Sequence, residues 1–143
     1  MTLFHRIVCI GSVFLSMVTS DLLATDQSKK DDAFDWPRHR GNAALQGVSK
    51  SILGTKLTLD WIFETGEYLK SSVVISEGIA YIGSDLGVLH AIDIESGKEK
   101  WNFKTEMAIE APPLIYQGKV YAGSTDSFLY ALSADSGKLL WKY

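Results

Sequence analysis

The sequence has very little cysteine, little proline and no strong excess of charge of either sign. Its 143 residues include one cysteine and three prolines, and 14 Lys+Arg against 17 Asp+Glu give a formal net charge of -3. A single thiol excludes an intramolecular disulfide framework and a thiolate metal cluster. The mildly acidic balance argues against nucleic acid as a partner. With 46% apolar and 22% charged residues, the composition is that of a globular protein.

Motifs of several enzyme classes are also missing. The chain contains no Gly-rich phosphate loop, no zinc-type spacing of Cys and His, and no Gly-x-Ser-x-Gly nucleophile elbow. These absences weigh against a nucleotide-binding enzyme, a zinc protein and an α/β-hydrolase.

The mostly apolar run at residues 7–18 is too short for a membrane-spanning helix, which needs about 20 residues. Its length and the small residues after it predict a signal peptide at residues 1–20, cleaved after Ser20 or, as a second choice, after Ala24. The alternative is a buried N-terminal strand or helix. Cleavage removes Cys9 and leaves a periplasmic or secreted chain with neither a thiol nor a transmembrane segment.

A forty-residue repeat dominates the rest of the chain. Trp61, Trp101 and Trp141 are spaced forty residues apart, and residues 64–103 laid over residues 104–143 without gaps share twelve identities. Such self-similarity indicates a duplicated structural unit.

Short turn sequences divide each unit into four runs rich in Val, Ile, Tyr, Phe and Trp. In the first unit the turns are Glu77-Gly78, Ser84-Asp85-Leu86-Gly87 and Glu95-Ser96-Gly97. No segment shows the 3.6-residue period of a helix. Four antiparallel strands per unit are therefore predicted, at residues 72–76, 79–83, 88–93 and 98–103 of the first unit.

Four short strands in forty residues match one blade of a β-propeller. The predicted fold is all-β: a partial β-propeller with two four-stranded antiparallel blades, at residues 64–103 and 104–143, after one leading outer strand at residues 57–63. A polar linker at residues 21–35 and an irregular lead-in segment at residues 36–56 precede them. The alternative is a meander or small sandwich built from the same strands.

Each unit ends on an eleven-residue pattern. Residues 91–101 read Ala-Ile-Asp-Ile-Glu-Ser-Gly-Lys-Glu-Lys-Trp, and residues 131–141 repeat it with Ser133 in place of the Asp. The pattern resembles the tryptophan-docking motif of the quinoprotein dehydrogenases, Ala-x-Asp-x-x-Thr-Gly-Lys-x-x-Trp. A small Ala leaves room for an indole, a Gly permits the turn, and the Trp covers the adjacent blade. The predicted structural docking residues are Ala91, Gly97, Trp101, Ala131, Gly137, Trp141 and Trp61.

The segment Trp36-Pro37-Arg38-His39-Arg40-Gly41 resembles the stretch before the first blade in exported repeat proteins of the pyrroloquinoline-quinone-like (PQQ-like) type. The resemblance to this β-propeller family covers residues 36–143. The family includes non-catalytic propellers that bind other proteins, such as the propeller lipoprotein of the outer-membrane barrel-assembly machinery. It also includes dehydrogenases that hold PQQ and Ca²⁺ near the propeller axis with ligands from several blades.

The catalytic branch fits this chain less well. Ca²⁺ takes about six to eight oxygen ligands, which two blades and one strand can hardly supply. No catalytic, cofactor-binding or metal-binding residue is therefore predicted, and PQQ with calcium is the secondary alternative.

Several polar residues nevertheless have a site interpretation beside a structural one. Glu106 and Glu110 lie between the units, where family loops face the central funnel, and are either ligands or solvated loop residues. His90 replaces Tyr130 of the second unit, which favours packing over metal binding. The remaining candidates are Asp93 and Asp135 as turn caps, and Arg38, His39 and Arg40 as a phosphate grip or a structural arm.

Three functions follow as hypotheses: a non-catalytic binding or scaffold module with protein or cell-envelope partners, a fragment of a quinoprotein dehydrogenase, and an extracytoplasmic ligand sensor. Because closure of the ring is what covers the faces of propeller blades, two blades leave apolar faces open to water. We therefore expect the 143 residues to be part of a longer reading frame, or a subunit that associates with further blades, and not a stable monomer.

Overall fold

The structure is a computed structural model, and it describes residues 35–49 and 55–143. The predicted signal peptide, residues 1–20, lies outside the described residues. So do the polar linker up to residue 34 and residues 50–54 of the lead-in segment. No described residue belongs to a helix, so none of them forms a helix that could span a membrane.

Eight strands form two separate antiparallel sheets in which chain order is also spatial order. The first sheet contains β1 (Val74–Ser76), β2 (Ile79–Gly83), β3 (Val88–Asp93) and β4 (Glu99–Lys104). The second contains β5 (Leu114–Tyr116), β6 (Lys119–Gly123), β7 (Leu129–Ser133) and β8 (Leu139–Lys142). The prediction of two four-stranded antiparallel sheets in an all-β fold is confirmed.

The turns set the strand bounds. Strands β2 and β3 have the bounds expected from the sequence, whereas the first strand begins two residues late, at Val74. The leading outer strand expected at residues 57–63 is not formed, since these residues belong to no strand. A strand exists through its ladder of hydrogen bonds, and no described strand lies alongside this segment to complete one.

Each sheet has two distinct ends. At one, which we call the turn end, β1–β2 and β5–β6 are joined by two-residue turns with positive φ at both residues, as at Gln117 (49°) and Gly118 (69°). These are the values of type I′ hairpins. The β3–β4 turn lies beside the first of them, because Ile94 N–H donates to Gly78 O over 3.0 Å. The opposite end carries the β2–β3 and β6–β7 loops and the connection between the sheets, and we call it the loop end.

The lead-in segment completes the inner edges of both sheets. Trp36 exchanges two backbone hydrogen bonds with Ile75 of β1, at 2.6 and 2.9 Å. One residue later, the carbonyl of Pro37 accepts from Ile115 N–H of β5 over 2.8 Å. Residues 36 and 37 therefore tie the two innermost strands together.

An apolar core fills the space between the sheets. Its buried residues come from both sheets and from the connection between them: Val74, Ile79, Tyr81, Leu89, Ala91, Ile109, Ile115, Val120, Ala122, Tyr130 and Leu132. Trp101 and Phe103 of β4 pack against this cluster. The sheets thus stack face to face, as neighbouring propeller blades do.

Trp101 joins the first sheet to the second. Its indole N–H donates to the carbonyl of Ala134 over 2.9 Å. The ring lies on Gly137 so closely that a Cβ atom placed there would be 2.6 Å from Cδ2 of the indole. Behind the indole, Ala91 is its register partner on β3 and is fully buried.

The same arrangement occurs forty residues earlier. The indole N–H of Trp61 donates to the carbonyl of Ile94 over 2.8 Å. A Cβ atom on Gly97 would lie 2.5 Å from Cγ of this indole. Trp61 therefore contacts the first sheet as Trp101 contacts the second, although it comes from a segment that is not a strand.

We predict that Trp101→Ala lowers the free energy of unfolding by about 3 kcal/mol, because it removes an indole packed between the sheets together with its hydrogen bond. Lys100→Ala, on an exposed neighbour in the same strand, should change it by less than about 0.5 kcal/mol. Urea denaturation of the two variants measures the difference. Equal, small effects would contradict a docking role for Trp101.

The glycine requirement can be tested separately. Gly118 and Gly137 have φ values of 69° and 68°, but a Cβ atom on Gly118 meets nothing within 4 Å. Gly118→Ala therefore measures the cost of the left-handed backbone alone, about 1 kcal/mol. Gly137→Ala adds a collision with the indole and should destabilise the chain by roughly 1 to 3 kcal/mol more. The same loss in both variants would show that the indole does not depend on the glycine.

Candidate functional site

Backbone hydrogen bonds hold the loop end of the two sheets in a repeated pattern. Asp85 N–H donates to the carbonyl of Tyr68 over 3.0 Å. Forty residues later, Thr125 N–H donates to the carbonyl of Ala108 over 2.9 Å. Each β-hairpin loop is thus fixed to the segment that leads into its own sheet, so the loop end is ordered by the fold itself.

Of the large apolar side chains exposed on the loops of this ordered end, three have more than half of their surface in solvent. Tyr68 is 85% exposed, Leu86 61% and Met107 54%. We call these three residues the loop-end patch. The backbone under Met107 is fixed by the buried Thr105, whose hydroxyl lies 2.7 Å from the Met107 carbonyl. An open cleft of about 540 Å³, lined by residues 63–68, adjoins the patch at Tyr68.

Lys70 joins two carboxylates beside the patch. Its Nζ lies 2.9 Å from Oε1 of Glu110 and 3.0 Å from Oδ2 of Asp85. The hydrogen bonds to Glu110 and then to Asp85 raise the pKa of Lys70. Glu110, a candidate ligand from the sequence, is therefore already held by an ammonium group. The sequence analysis did not identify Lys70 as a site residue. Lys70 lies forty residues before Glu110, at the equivalent position of the first repeat, and carries the opposite charge.

Glu106, the second candidate from this connection, contributes its backbone. Glu106 N–H donates to Oδ2 of Asp126 over 3.2 Å. The same carboxylate accepts from the Tyr130 hydroxyl over 2.8 Å. Burial raises the pKa of Asp126, but the hydrogen bonds from Tyr130 and the backbone outweigh it and leave the pKa lowered. Burial raises the pKa of Tyr130 to about 12, and the hydrogen bond from its hydroxyl to Asp126 is the second cause.

His90 lies buried on β3 and pairs with Glu99 of β4. His90 Nδ1 is 2.6 Å from Oε1 of Glu99, and Asn102 Nδ2 donates to the other oxygen over 2.9 Å. Burial raises the pKa of Glu99, but these two partners outweigh it and lower the pKa. The ring of Phe63 packs edge-on against the imidazole at 5.6 Å. These contacts favour the packing interpretation of His90, whose Nε2 is buried and meets no hydrogen-bond partner among the described residues.

Asp93 and Asp135, the two residues predicted to cap turns, lie at the turn end and not at the loop end. Asp93 Oδ1 accepts from the Ser96 hydroxyl over 2.7 Å and from Ser96 N–H over 2.8 Å, and these bonds lower the pKa of Asp93. It thus acts as a turn cap. Asp135 is exposed in the matching turn. Burial is the largest cause that raises the pKa of Tyr81 to about 12, and the negative charges of Glu77 and then of Asp135 raise it further.

Arg38, His39 and Arg40 form a tight turn in the lead-in segment. Gly41 N–H donates to the carbonyl of Arg38 over 2.9 Å. A Cβ atom on Gly41 would lie 2.8 Å from Cε3 of Trp36, so the turn folds back over that indole. This geometry favours the structural arm over the phosphate grip.

A quinone with Ca²⁺ does not fit the described residues. The inner edges of β1 and β5, which would face a propeller axis, are bonded to Trp36 and Pro37. At the loop end, Lys70 already holds two carboxylates and Tyr130 holds a third. A hard cation would have to displace an ammonium group to collect oxygen ligands here.

Comparison with known proteins gives a family and two solved structures. The family model described as outer membrane protein assembly factor BamB matches residues 38–143. BamB from Moraxella catarrhalis is 26% identical over 60% of this chain and 27% of its own, with a TM-score of 0.57. Quinohemoprotein alcohol dehydrogenase from Comamonas testosteroni is 25% identical over 79% of this chain and 20% of its own, with a TM-score of 0.70. No curated protein sequence matches the chain.

The chain thus spans 27% and 20% of the lengths of these two proteins. The match to the family model nevertheless includes both sheets and most of the lead-in segment. The chain belongs to the BamB family of PQQ-like β-propeller repeat proteins.

Proposed function

We propose that this chain is a non-catalytic binding or scaffold module of the cell envelope that contacts a protein partner through its loop end. The observation that carries the proposal is the loop-end patch: three large apolar side chains exposed on loops that backbone hydrogen bonds already fix. Apolar groups on a preorganised surface favour protein association, because little conformational entropy is lost on binding.

The surroundings of the patch support a protein partner over a small cofactor. The carboxylates of Asp85 and Glu110 are paired with Lys70, which leaves the patch apolar at its centre and polar at its margin. Protein interfaces have this composition, with large apolar side chains in the centre and a solvated polar rim. The rim carries charges of both signs, because Glu106 is exposed there and the ammonium of Lys104 donates to the carbonyl of Leu86.

Two further observations support a location in the periplasm or outside the cell. The apolar run at residues 7–18 has the length of the apolar region of a signal peptide. The family model that matches the chain is described as an outer membrane protein assembly factor.

We predict that benzoylphenylalanine at position 86 or 107 gives discrete protein adducts when producing cells are irradiated. The control carries the same photoreactive group at Gln117, which is exposed at the turn end. Adducts should form from the loop end and not from position 117, and immunoblots of the envelope fraction would measure them. No adducts from positions 86 and 107, or the same adducts from all three positions, would contradict the proposal.

A quinoprotein dehydrogenase fragment is the second candidate, favoured by the TM-score of 0.70 over 79% of the chain. Titration calorimetry of the purified chain with PQQ and Ca²⁺ separates the two. We expect no Ca²⁺-dependent heat of binding for the chain or for Lys70→Ala, in which Asp85 and Glu110 are released. Micromolar, Ca²⁺-dependent binding by the unaltered chain would reverse the order of the two candidates.

A further inference from the structure

The loop-end patch has no counterpart in the other repeat. At each of its three positions the equivalent residue, forty places along the chain, is small or carries a carboxylate: Ala108 for Tyr68, Asp126 for Leu86 and Glu67 for Met107. Both repeats nevertheless form the same four-stranded antiparallel sheet. The fold therefore does not require a large apolar side chain at any of the three positions.

Met107 lies on the connection between the two sheets, and both sheets contribute to its surroundings. Its carbonyl accepts from the Thr105 hydroxyl over 2.7 Å and from the hydroxyl of Ser124, in the β6–β7 loop, over 3.1 Å. A Cβ atom on Gly87, in the β2–β3 loop, would lie 2.2 Å from the same carbonyl oxygen. The backbone of Met107 is thus held between two hairpin loops, and its side chain is 54% exposed with a described sheet on either side.

Met107 also holds the only sulfur atom of residues 21–143. The other sulfur atoms, in Met1, Cys9 and Met17, belong to the predicted signal peptide. An exposed thioether is readily oxidised to a sulfoxide. After cleavage, an oxidant that reaches the chain therefore meets its single sulfur atom in the loop-end patch.

Oxidation changes the polarity of this side chain and can be reversed. A peroxide transfers one oxygen atom to the sulfur: the O–O bond breaks, an S–O bond forms, and hydrogen peroxide is reduced to water as the thioether loses two electrons. The product is a polar sulfoxide that accepts hydrogen bonds. A dithiol, acting through a methionine sulfoxide reductase, removes the oxygen as water and becomes a disulfide.

The fold accepts a polar side chain at this position. Glu67, the equivalent of Met107, lies in the segment that leads into the first sheet, as Met107 lies in the segment that leads into the second. A sulfoxide at Met107 places a polar group where the other repeat already has a carboxylate. Oxidation should therefore change the surface of the loop end and leave the two sheets intact.

We propose that Met107 is a reversible oxidation site that switches the loop-end patch from a binding to a non-binding form. The proposal rests on the proposed function, because it names a regulation of the same surface. An interface formed around a thioether has no need of a hydrogen-bond donor at that point. A partner that covers the sulfoxide would remove water from a polar group without replacing its hydrogen bonds, and association would weaken.

Peptide mapping of the purified chain after treatment with hydrogen peroxide tests the modification itself. Trypsin releases residues 105–119, in which Met107 is the only residue that contains sulfur. We expect this peptide to gain one oxygen atom, and the urea midpoint of the oxidised chain to equal that of the untreated chain. Met107→Leu, which keeps a similar volume and forms no sulfoxide, is the matched control. A midpoint lowered in the unaltered chain but not in Met107→Leu would show that Met107 supports the fold, and would overturn the proposal.

Photocrosslinking tests the effect on binding. The purified chain carries benzoylphenylalanine at position 86, is oxidised or left untreated, is freed of peroxide, and is irradiated with a detergent extract of the envelope of producing cells. We expect oxidation to lower the yield of adducts at least about fivefold, since burial of a methionine side chain strengthens a contact by about tenfold or more. Methionine sulfoxide reductase with dithiothreitol should restore the yield.

Two variants assign the effect to position 107. With Met107→Leu, the yield of adducts should be the same before and after treatment with peroxide. Met107→Gln places an uncharged polar group of similar length at this position and should give a low yield without any oxidant. Near-ultraviolet circular dichroism verifies that both variants are folded.

The outcomes separate this proposal from the proposed function. No adducts from the untreated chain would contradict both, since there would be no binding to regulate. Adducts that persist after complete oxidation of the peptide 105–119 would overturn the oxidation switch and leave the proposed function standing. An equal loss of adducts in oxidised Met107→Leu would assign the effect to another residue and would also overturn the switch.

Discussion

An indole stacked on a glycine of the following repeat is the contact that the rest of this structure depends on. The glycine is required because a Cβ atom would enter the ring, and a carbonyl must face the indole N–H because an unpaired polar group between packed sheets is costly. Both requirements recur at fixed offsets from each tryptophan. The contact therefore repeats with the forty-residue period of the sequence, and the acceptor carbonyl lies 33 residues after each docked tryptophan.

The two repeats differ in the position of the carboxylate that pairs with the ring on the central strand. In the second sheet Asp126 accepts from Tyr130, whereas in the first sheet Glu99 pairs with His90 at the same central position. The place of Asp126 is taken by Leu86 in the first sheet, and the place of Glu99 by Leu139 in the second. Each exchange gives the ring on the central strand a carboxylate partner and leaves a leucine where the other repeat has that carboxylate. One leucine belongs to the loop-end patch, and the other lies on the strand that carries Trp141.

Local sequence signals predicted the strands and turns of this chain, and long-range pairings escaped them. The bounds of β2 and β3 could be read from glycine-containing turns, which act within a few residues. The pairing of Trp36 with β1 and the contact of Lys70 with Glu110 join residues about forty positions apart and leave no local pattern. Residues 57–63 show the converse, because a sequence suited to a strand forms none without a neighbouring ladder.

The two sheets are held at both their inner and their outer strands, and this fixes the angle between them. Trp36 and Pro37 join β1 to β5, while Trp101 joins β4 to the turn before β8. A contact made only at the inner strands would act as a hinge, and one made only at the outer strands would let the inner edges separate. Because the angle is fixed, a sheet docked through an equivalent tryptophan and turn glycine would repeat the same rotation about the inner strands. Repeated rotation about one axis closes into a ring and covers each open face, whereas a variable angle would give an open, aggregation-prone array.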